Sequence, residues 1–507
     1  MRRGNYLTKS RYAAGLQCSR RLWLDVHEPE SMETDGDAAD GAPGDISAEI
    51  GLSARLLFPG GVLVEEKPWE HAAAVVRTRS LMADKSVPAI FEAAFEHANV
   101  RIRVDVLERL PRGCWGLREV KSSGAVKEPH HDDVAVQLHV LKSCGLRVPS
   151  AQVLHVNVDY KLGLKGIAWP RFFRRPEVKD DVRARLKGIE ARLAAQRALL
   201  SRPRPPSIEP DTHCHDPYPC DHWDRCTATK AADWVYYLPN LKETRRAELK
   251  DLGIESISAI PDDFHLSARQ EVIRDATRSG TPYVAPDLAK RLAGFGPPAL
   301  YLDFEAFMPA IPLYPGTRPY QTLPFQWSLH CAARDGTTRH EEFLADAAGD
   351  PRRPFAESLV AALQGTKLPI IVYSPYEEMR LNELAAALPD LAKPIKGIVA
   401  RLKDLLPVVR GGVYHPGFAF SNSIKTAAPA LCRDVTYRDL EDIADGGSAS
   451  TAFWRMASGR TDAATSERLR RSLRAYCQRD TWAMVRLHQA LNALAAAHSR
   501  NPKRSEG

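Results

Sequence analysis

The sequence predicts an α/β fold built from more than one domain. Three observations predict it. The chain is 507 residues long, 44% hydrophobic and 26% charged, which suits a globular protein with room for sizeable cores. Residues 100–107, VRIRVDVL, alternate apolar and polar side chains with the period of a half-buried strand. From about residue 298 to the end, apolar strand-like runs alternate with helical ones. Together these divide the chain into 1–230, a helical connector at 231–296, and a second α/β segment at 297–500.

Composition excludes several classes. No run approaches the ~20 apolar residues of a transmembrane helix. The N-terminal MRRGNYLTKSR is basic but leads into no apolar stretch, so no secretory signal and a cytoplasmic location are expected. Lys and Arg number 70 against 63 acidic residues, a net charge of +7 that permits a polyanionic partner without demanding one. Nine cysteines in so long a chain are not a disulfide framework.

Taken in order, TDGDAADGAPGDISA (33–47) reads as a flexible loop, and IGLSARLLFPGG (50–61) as a helix stopped by Pro-Gly-Gly. VRIRVDVL is a strand, LPRGC a turn, WGLREVK a second strand and DDVAVQLHVLK a helix. Val182, Leu186, Ile189, Leu193 and Leu200 recur at helical spacing, which predicts a helix of about five turns over 180–200. SRPRPPSIEP then breaks it, because proline cannot continue a helix. Residues 240–295 read as short helices, ALYLDFEAF as a strand, PIIVY (369–373) as a strand followed by a helix, ARLK (400–403) as a solvated helix face, and 466–496 as a long helix.

Three groups of residues carry chemistry. In the first, a hairpin would set Asp105 beside Glu119, with Lys121 on the same face as Glu119. Two carboxylates suit a hard ion such as Mg²⁺, and a lysine beside them suits phosphodiester hydrolysis. Gln137, on the helix that follows, is expected to face the same site. In the second, Cys214, Cys220 and Cys226 have the spacing Cys-x5-Cys-x5-Cys, and Cys18 is a distant fourth. Thiolates on a proline-punctuated loop suit a soft metal centre. Three clustered cysteines and one remote one favour a 4Fe–4S cluster that staples the ends of a domain, while His213, His215 and His222 keep zinc open. In the third, Asp303 and Glu305 share a face of one strand and so call for a cation. Glu377 begins a helix after the PIIVY strand. Asp480 lies on the apolar stripe of the last helix, where a buried carboxylate must be paired or metal-bound, and Tyr476 lies one turn before it.

YLTKSRYAAGLQCSRRLWL, LFPGG, VDVL with REVKSS, Gln137 and the cysteine triplet resemble the RecB-type PD-(D/E)XK nucleases that carry an iron–sulfur cluster, among them CRISPR-associated exonucleases. The resemblance implies a restriction-endonuclease-like core, with one cluster cysteine before it and three after. Two features depart from that pattern: the triplet spacing, familiar as Cys-x2-Cys-x5-Cys, and the ligand of the first core helix, for which Glu49 is the nearest candidate. Asp303-x-Glu305, Tyr376-Glu377 and Tyr476-x3-Asp480 resemble the motifs of DnaQ-like, RNase H-type exonucleases, with Glu377 where aspartate is commoner. The resemblance implies two-metal hydrolysis at four carboxylates, with Tyr476 positioning the attacking water. YLDFEAFMPAIPLYPGTRPYQTLPFQWSLH and VYHPGFAFSNSIKTAAPAL resemble an uncharacterised bacterial family that joins these two halves, the second known as a domain of unknown function.

The reading that follows is a metal-dependent nuclease, an exonuclease in particular, acting on DNA or RNA in repair, processing or defence, with a 4Fe–4S cluster and Mg²⁺ or Mn²⁺ as cofactors. The competing reading is a non-catalytic nucleic-acid-binding or scaffolding protein whose sites have decayed.

Overall fold

Two mixed sheets organise the chain in the computed structural model, which describes residues 6–28 and 43–500. The chain divides into two units. One comprises residues up to Thr229 together with Pro309–Gln321; the other comprises Lys230–Met308 and the residues from Thr322 onward. The stretch expected as a separate connector, 231–296, therefore belongs to the second unit, and thirteen residues expected in the C-terminal segment belong to the first.

The first unit holds six strands in the spatial order of the sequence: β1 (Val62–Leu63), β2 (Ala89–His97), β3 (Val100–Leu110), β4 (Cys114–Lys121), β5 (Ser150–Val156) and β6 (Phe173–Arg174). β2, β3 and β4 are antiparallel, and β4 pairs in parallel with β5 through the crossover helix Glu128–Ser143. The alternation read in the sequence is realised on β3. Val100, Ile102, Val104 and Val106 are all buried, whereas Arg101, Arg103 and Asp105 lie on the other, partly open face. Val100, Ile102 and Val104 join Tyr12, Leu22, Ala74, Val134 and Leu193 from the covering helices in the main core. Val106 belongs to a second core, where Ala310 of the Pro309–Gln321 segment also packs.

In the second unit β7 (Tyr283–Val284) precedes a five-stranded sheet of β8 (Ala299–Phe307), β9 (Leu323–Ala332), β10 (Thr338–Leu344), β11 (Ile370–Val372) and β12 (Leu402–Asp404). Their order in space is β10-β9-β8-β11-β12. β9 runs antiparallel to both neighbours, while β8, β11 and β12 are mutually parallel. β13 (Val413–Tyr414) pairs with β7 in a separate two-stranded sheet. β8 is central and buried except at Asp303 and Ala306, so its carboxylates sit in the middle of the sheet. The helix Ala463–Arg500 packs on β8 and β9.

Four sequence expectations are corrected. Of the loop 33–47, residues 33–42 lie outside the described residues, and the remainder begins the helix Pro43–Arg55, which ends before the Pro-Gly-Gly stop. The helix at 180–200 is split: Gly188 adopts φ 69°, a left-handed conformation that glycine takes without steric cost, and the main helix is Ile189–Leu200. Val182, Ile189, Leu193 and Leu200 are nevertheless buried, because the break preserves the apolar face. ARLK is not a helix face: the helix Ala392–Val399 ends first, and Leu402 and Lys403 open the edge strand β12.

No helix among the described residues is long and apolar enough to cross a membrane.

Candidate functional site

Strand pairing assembles the first carboxylate group. The β3–β4 register matches Val106 to Arg118, and the Val120 amide donates to Asp105 Oδ2 at 2.6 Å, which holds Asp105 beside Glu119. Glu119 is fully buried. Its Oε2 accepts from Gln137 Nε2 at 2.6 Å, and its Oε1 lies 2.9 Å from Lys121 Nζ. Lys121 also donates to Asp133 Oδ2 at 2.5 Å, one helical turn before Gln137. Asp105, Glu119, Lys121 and Gln137, predicted together, are together.

Lys9 was not predicted, and it changes the group's electrostatics. Leu7 pairs with the start of β3, donating to Asn99 O at 2.9 Å and accepting from Arg101 N at 2.8 Å. Thr8 then caps the helix Lys9–Gln17. That cap sets Lys9 in the first turn, where a cation is disfavoured by the helix dipole unless anions meet it. They do: Lys9 Nζ donates to Glu119 Oε1 at 2.6 Å and lies 3.9 Å from Asp105 Oδ1. Burial alone would raise the Glu119 pKa, but Lys121 and Lys9 overcome it and hold the carboxyl well below its usual range. Asp105 is pushed up to about 7, first by burial and then by Glu119. Gln137 Oε1 is buried with no hydrogen-bond partner among the described residues. Glu92, also unpredicted, shares with Asp105, Lys121 and Lys9 the lining of a cleft of about 1260 Å³, and Arg11 and Arg103 line it too. Glu49 is not among the lining residues; it lies on the helix Pro43–Arg55.

The four cysteines of the predicted cluster, Cys18, Cys214, Cys220 and Cys226, line one small cavity together with His213 and His222. Cys18 sits at the junction of the helices Lys9–Gln17 and Ser19–His27, and the Cys220 amide donates to Cys214 O at 2.8 Å. Burial raises the thiols of Cys214 and Cys220, and the neighbouring cysteines add to it. His213 Nε2 lies 3.6 Å from Cys214 Sγ, and His222 Nε2 is hydrogen-bonded to Asp25 at 2.7 Å. Four convergent thiols are a donor set that fits a soft metal centre.

The second carboxylate group differs in kind. Asp303 and Glu305 come from β8, Glu377 from the first turn of the helix Tyr376–Ala387 after β11, and Asp480 from the helix Ala463–Arg500. Glu305, Glu377 and Asp480 are buried and Asp303 is partly so. Burial first, then Asp480, Glu305 and Glu377 in turn, drive Asp303 well above its usual value. Burial pushes both Glu305 and Glu377 up to about 8. Among the described residues no Lys, Arg or His forms an ion pair with any of these four carboxylates. Lys425 acts on Glu305 and Asp480 only from beyond ion-pair range, its ammonium 4.7 Å from the Tyr476 ring centre. Asp480 accepts a 2.6 Å hydrogen bond from the hydroxyl of Tyr437, which sequence reasoning missed, with Tyr476 as a second hydroxyl partner. Tyr476 is itself buried. Cys477, also missed, places Sγ 3.6 Å from Asp303 Oδ2. Of the aromatics near this sheet, Phe325 and Trp327 on β9 are buried.

Residues 300–423 match a family described as a domain of unknown function (DUF2779). The match begins on β8 and takes in Asp303, Glu305 and Glu377, but ends before Cys477 and Asp480. No curated protein matches the chain significantly.

Proposed function

We propose that the chain is a metal-dependent nuclease whose principal hydrolytic centre is the carboxylate group of the second unit. One observation carries this reading: four carboxylates from three separate segments converge in a buried place with no ion-paired cation. Buried charges persist only when paired or metal-bound, so the donor set fits Mg²⁺ or Mn²⁺. Bound there, divalent ions would activate water and neutralise charge at a phosphodiester. The protein's own contribution is to fix the ligands. β8 presents Asp303 and Glu305, the helix start presents Glu377, and Tyr437 and Tyr476 orient Asp480. The strand order, with the second strand antiparallel to its neighbours, supports an RNase H-like, DnaQ-type reading of this unit.

The first unit supports a PD-(D/E)XK-type reading. Three antiparallel strands, a helix and a parallel strand bring Asp105, Glu119, Lys121 and Gln137 together: Glu119 and Gln137 are buried, and Asp105 and Lys121 line the cleft, where Lys9 and Lys121 would also meet phosphate. Asp105 and Glu119 would hold an ion there. Cys18, Cys214, Cys220 and Cys226 would hold a 4Fe–4S cluster that ties the N-terminal helices to the loop after residue 210. The substrate is DNA or RNA, recognised through its backbone, so binding should weaken with salt.

The test is degradation of end-labelled single- and double-stranded DNA and RNA with Mg²⁺ or Mn²⁺, comparing wild type with Asp303→Asn and Lys121→Ala. Loss of cleavage in Asp303→Asn supports the assignment of the principal centre. Binding without cleavage of any substrate by the wild type would favour a scaffolding role instead.

A further inference from the structure

The second carboxylate group contains a donor that a purely carboxylate Mg²⁺ site does not need. Cys477 Sγ and carboxylate oxygens of Asp303 and Glu305 all lie within 4.8 Å of one another. Cys477 is fully buried on the inner stripe of the helix Ala463–Arg500, three residues before Asp480 and so on the same face. Its visible partners are Asp303 Oδ2 at 3.6 Å and the Asp303 carbonyl at 3.8 Å. A thiol is a weak donor, so these contacts do little to hold a carboxylate in place. A second, independent feature points to a ligand at the same spot. Glu305 is 6% exposed, yet its carboxylate makes no hydrogen bond or ion pair among the described residues. A buried carboxylate without a partner is costly, and a cation drawing on the sulfur and both carboxylates would remove that cost.

We infer that this centre is a mixed carboxylate–thiolate site in which Cys477 is a metal ligand and biases the site toward sulfur-tolerant divalent transition ions such as Zn²⁺ over Mg²⁺. The inference rests on the reading of this group as a metal centre and specifies which ions it takes. Thiolate sulfur selects softer ions, whereas carboxylate oxygen alone suits Mg²⁺ and Mn²⁺. On binding, the Cys477 proton leaves to solvent and a sulfur lone pair goes to the ion. Asp303, Glu305 and Cys477 then supply three negative charges to one cation, with Asp480 and Glu377 beside them.

The experiment uses the full-length protein and Cd²⁺ as a spectroscopic probe. Sulfur-to-cadmium charge transfer absorbs in the ultraviolet, and Cys18, Cys214, Cys220 and Cys226 contribute equally to wild type and variant. The difference spectrum between wild type and Cys477→Ser therefore isolates Cys477. Melting temperatures are measured in parallel with Zn²⁺ and with Mg²⁺, and Cys477→Ala serves as the second variant if the serine disturbs folding. The expected result is an additional saturable band in the wild type alone. Apparent Zn²⁺ affinity should fall by at least the about 10–100-fold that outer-shell changes produce, with the Mg²⁺ response retained. Identical cadmium spectra and an unchanged Zn²⁺-to-Mg²⁺ preference in both variants would overturn the thiolate assignment. Asp303→Asn separates the two claims. If it abolishes every ion response while the Cys477 variants change nothing, only the thiolate inference fails. If Asp303→Asn responds to all ions as the wild type does, the metal-centre reading fails with it.

Discussion

Replacing Asp303 by Asn should change stability in opposite directions with and without metal. The acidic oxygens of Asp303 and Glu305 lie within 4.8 Å of each other. At an effective dielectric of about 20, two unit charges at that separation repel by about 3.5 kcal/mol, since 332/(20 × 4.8) ≈ 3.5. That figure is a ceiling, because burial and the neighbouring carboxyls raise both Asp303 and Glu305 and leave the pair only partly ionised. At pH 8, with Asp303 as well as Glu305 partly protonated, at most about half of the repulsion, up to about 2 kcal/mol, should vanish when Asn carries no charge and keeps the shape. For a unit of this size about 1 kcal/mol corresponds to about 2–4 °C, so metal-free Asp303→Asn should melt above metal-free wild type by up to about 8 °C. With ion at a hundred times its dissociation constant the wild type gains about 2.7 kcal/mol, about 5–11 °C, and the variant gains little. The two curves should therefore cross as Mn²⁺ or Mg²⁺ is added. Differential scanning fluorimetry across a metal titration, after chelation, reads this directly. A variant that melts lower than wild type without metal, or gains as much from metal, would refute the argument that the cluster is held together against its own charge.

Three further outcomes follow from the same structure. In the metal-free protein Glu305 and Glu377 titrate near 8 instead of in the usual carboxylate range, so the folded state keeps protons that the unfolded chain has released. Stability should accordingly fall as pH rises from about 4.5 to 8 and level off above it, with Glu305→Gln flattening the slope; a melting temperature that climbs across this window would contradict the assignment. Lys9→Met should leave the fully buried Glu119 with Lys121 as its remaining counter-ion. Because Lys9 is itself 23% exposed and Lys121 stays, the loss should be about 1–2 kcal/mol, below that of breaking an isolated buried pair, seen as a lowered urea midpoint. Protein purified without oxygen should be brown with iron–sulfur absorption, and Cys220→Ser should bleach it and destabilise residues 1–230; colourless wild type carrying stoichiometric zinc would assign the four thiols to zinc instead.

How much of this was legible in the sequence depends on the range of the interaction. Period-two alternation placed Asp105 on the open face of β3 and the paired carboxylates on β8, because strand geometry fixes which side each residue takes. The helical stripe through Leu473, Tyr476 and Asp480 was legible for the same reason, and it contained the signal for Cys477: a cysteine between two stripe residues, one position after Tyr476 and three before Asp480. The split of the helix at 180–200 was not legible, since periodicity is indifferent to whether a glycine inside it takes a positive φ. Tyr437, which reaches Asp480 across 43 residues, and Lys9, which reaches Glu119 across 110, left no local trace.

Those long-range partners decide what each centre is. The motif at β3 and β4 carries its own cation, Lys121, and the fold delivers a second, Lys9, through the pairing of Leu7 with β3 and the Thr8 cap. Glu119 is thereby kept ionised, and the centre is stable as a pocket of nearly balanced charge before any metal arrives. Aspartate-x-glutamate on β8, a glutamate at a helix start and an aspartate on the last helix gather four carboxyls, and none of the contributing segments supplies an ion-paired cation. The fold provides two tyrosine hydroxyls and a thiol there, and keeps the Lys425 ammonium beyond ion-pair range. A hydroxyl steadies a carboxylate but does not neutralise it. The energetic deficit of the second centre is therefore left unmet by the chain's own cations, and this is the deficit that the divalent cation of the proposed function would fill with its charge and its preference for oxygen and sulfur donors.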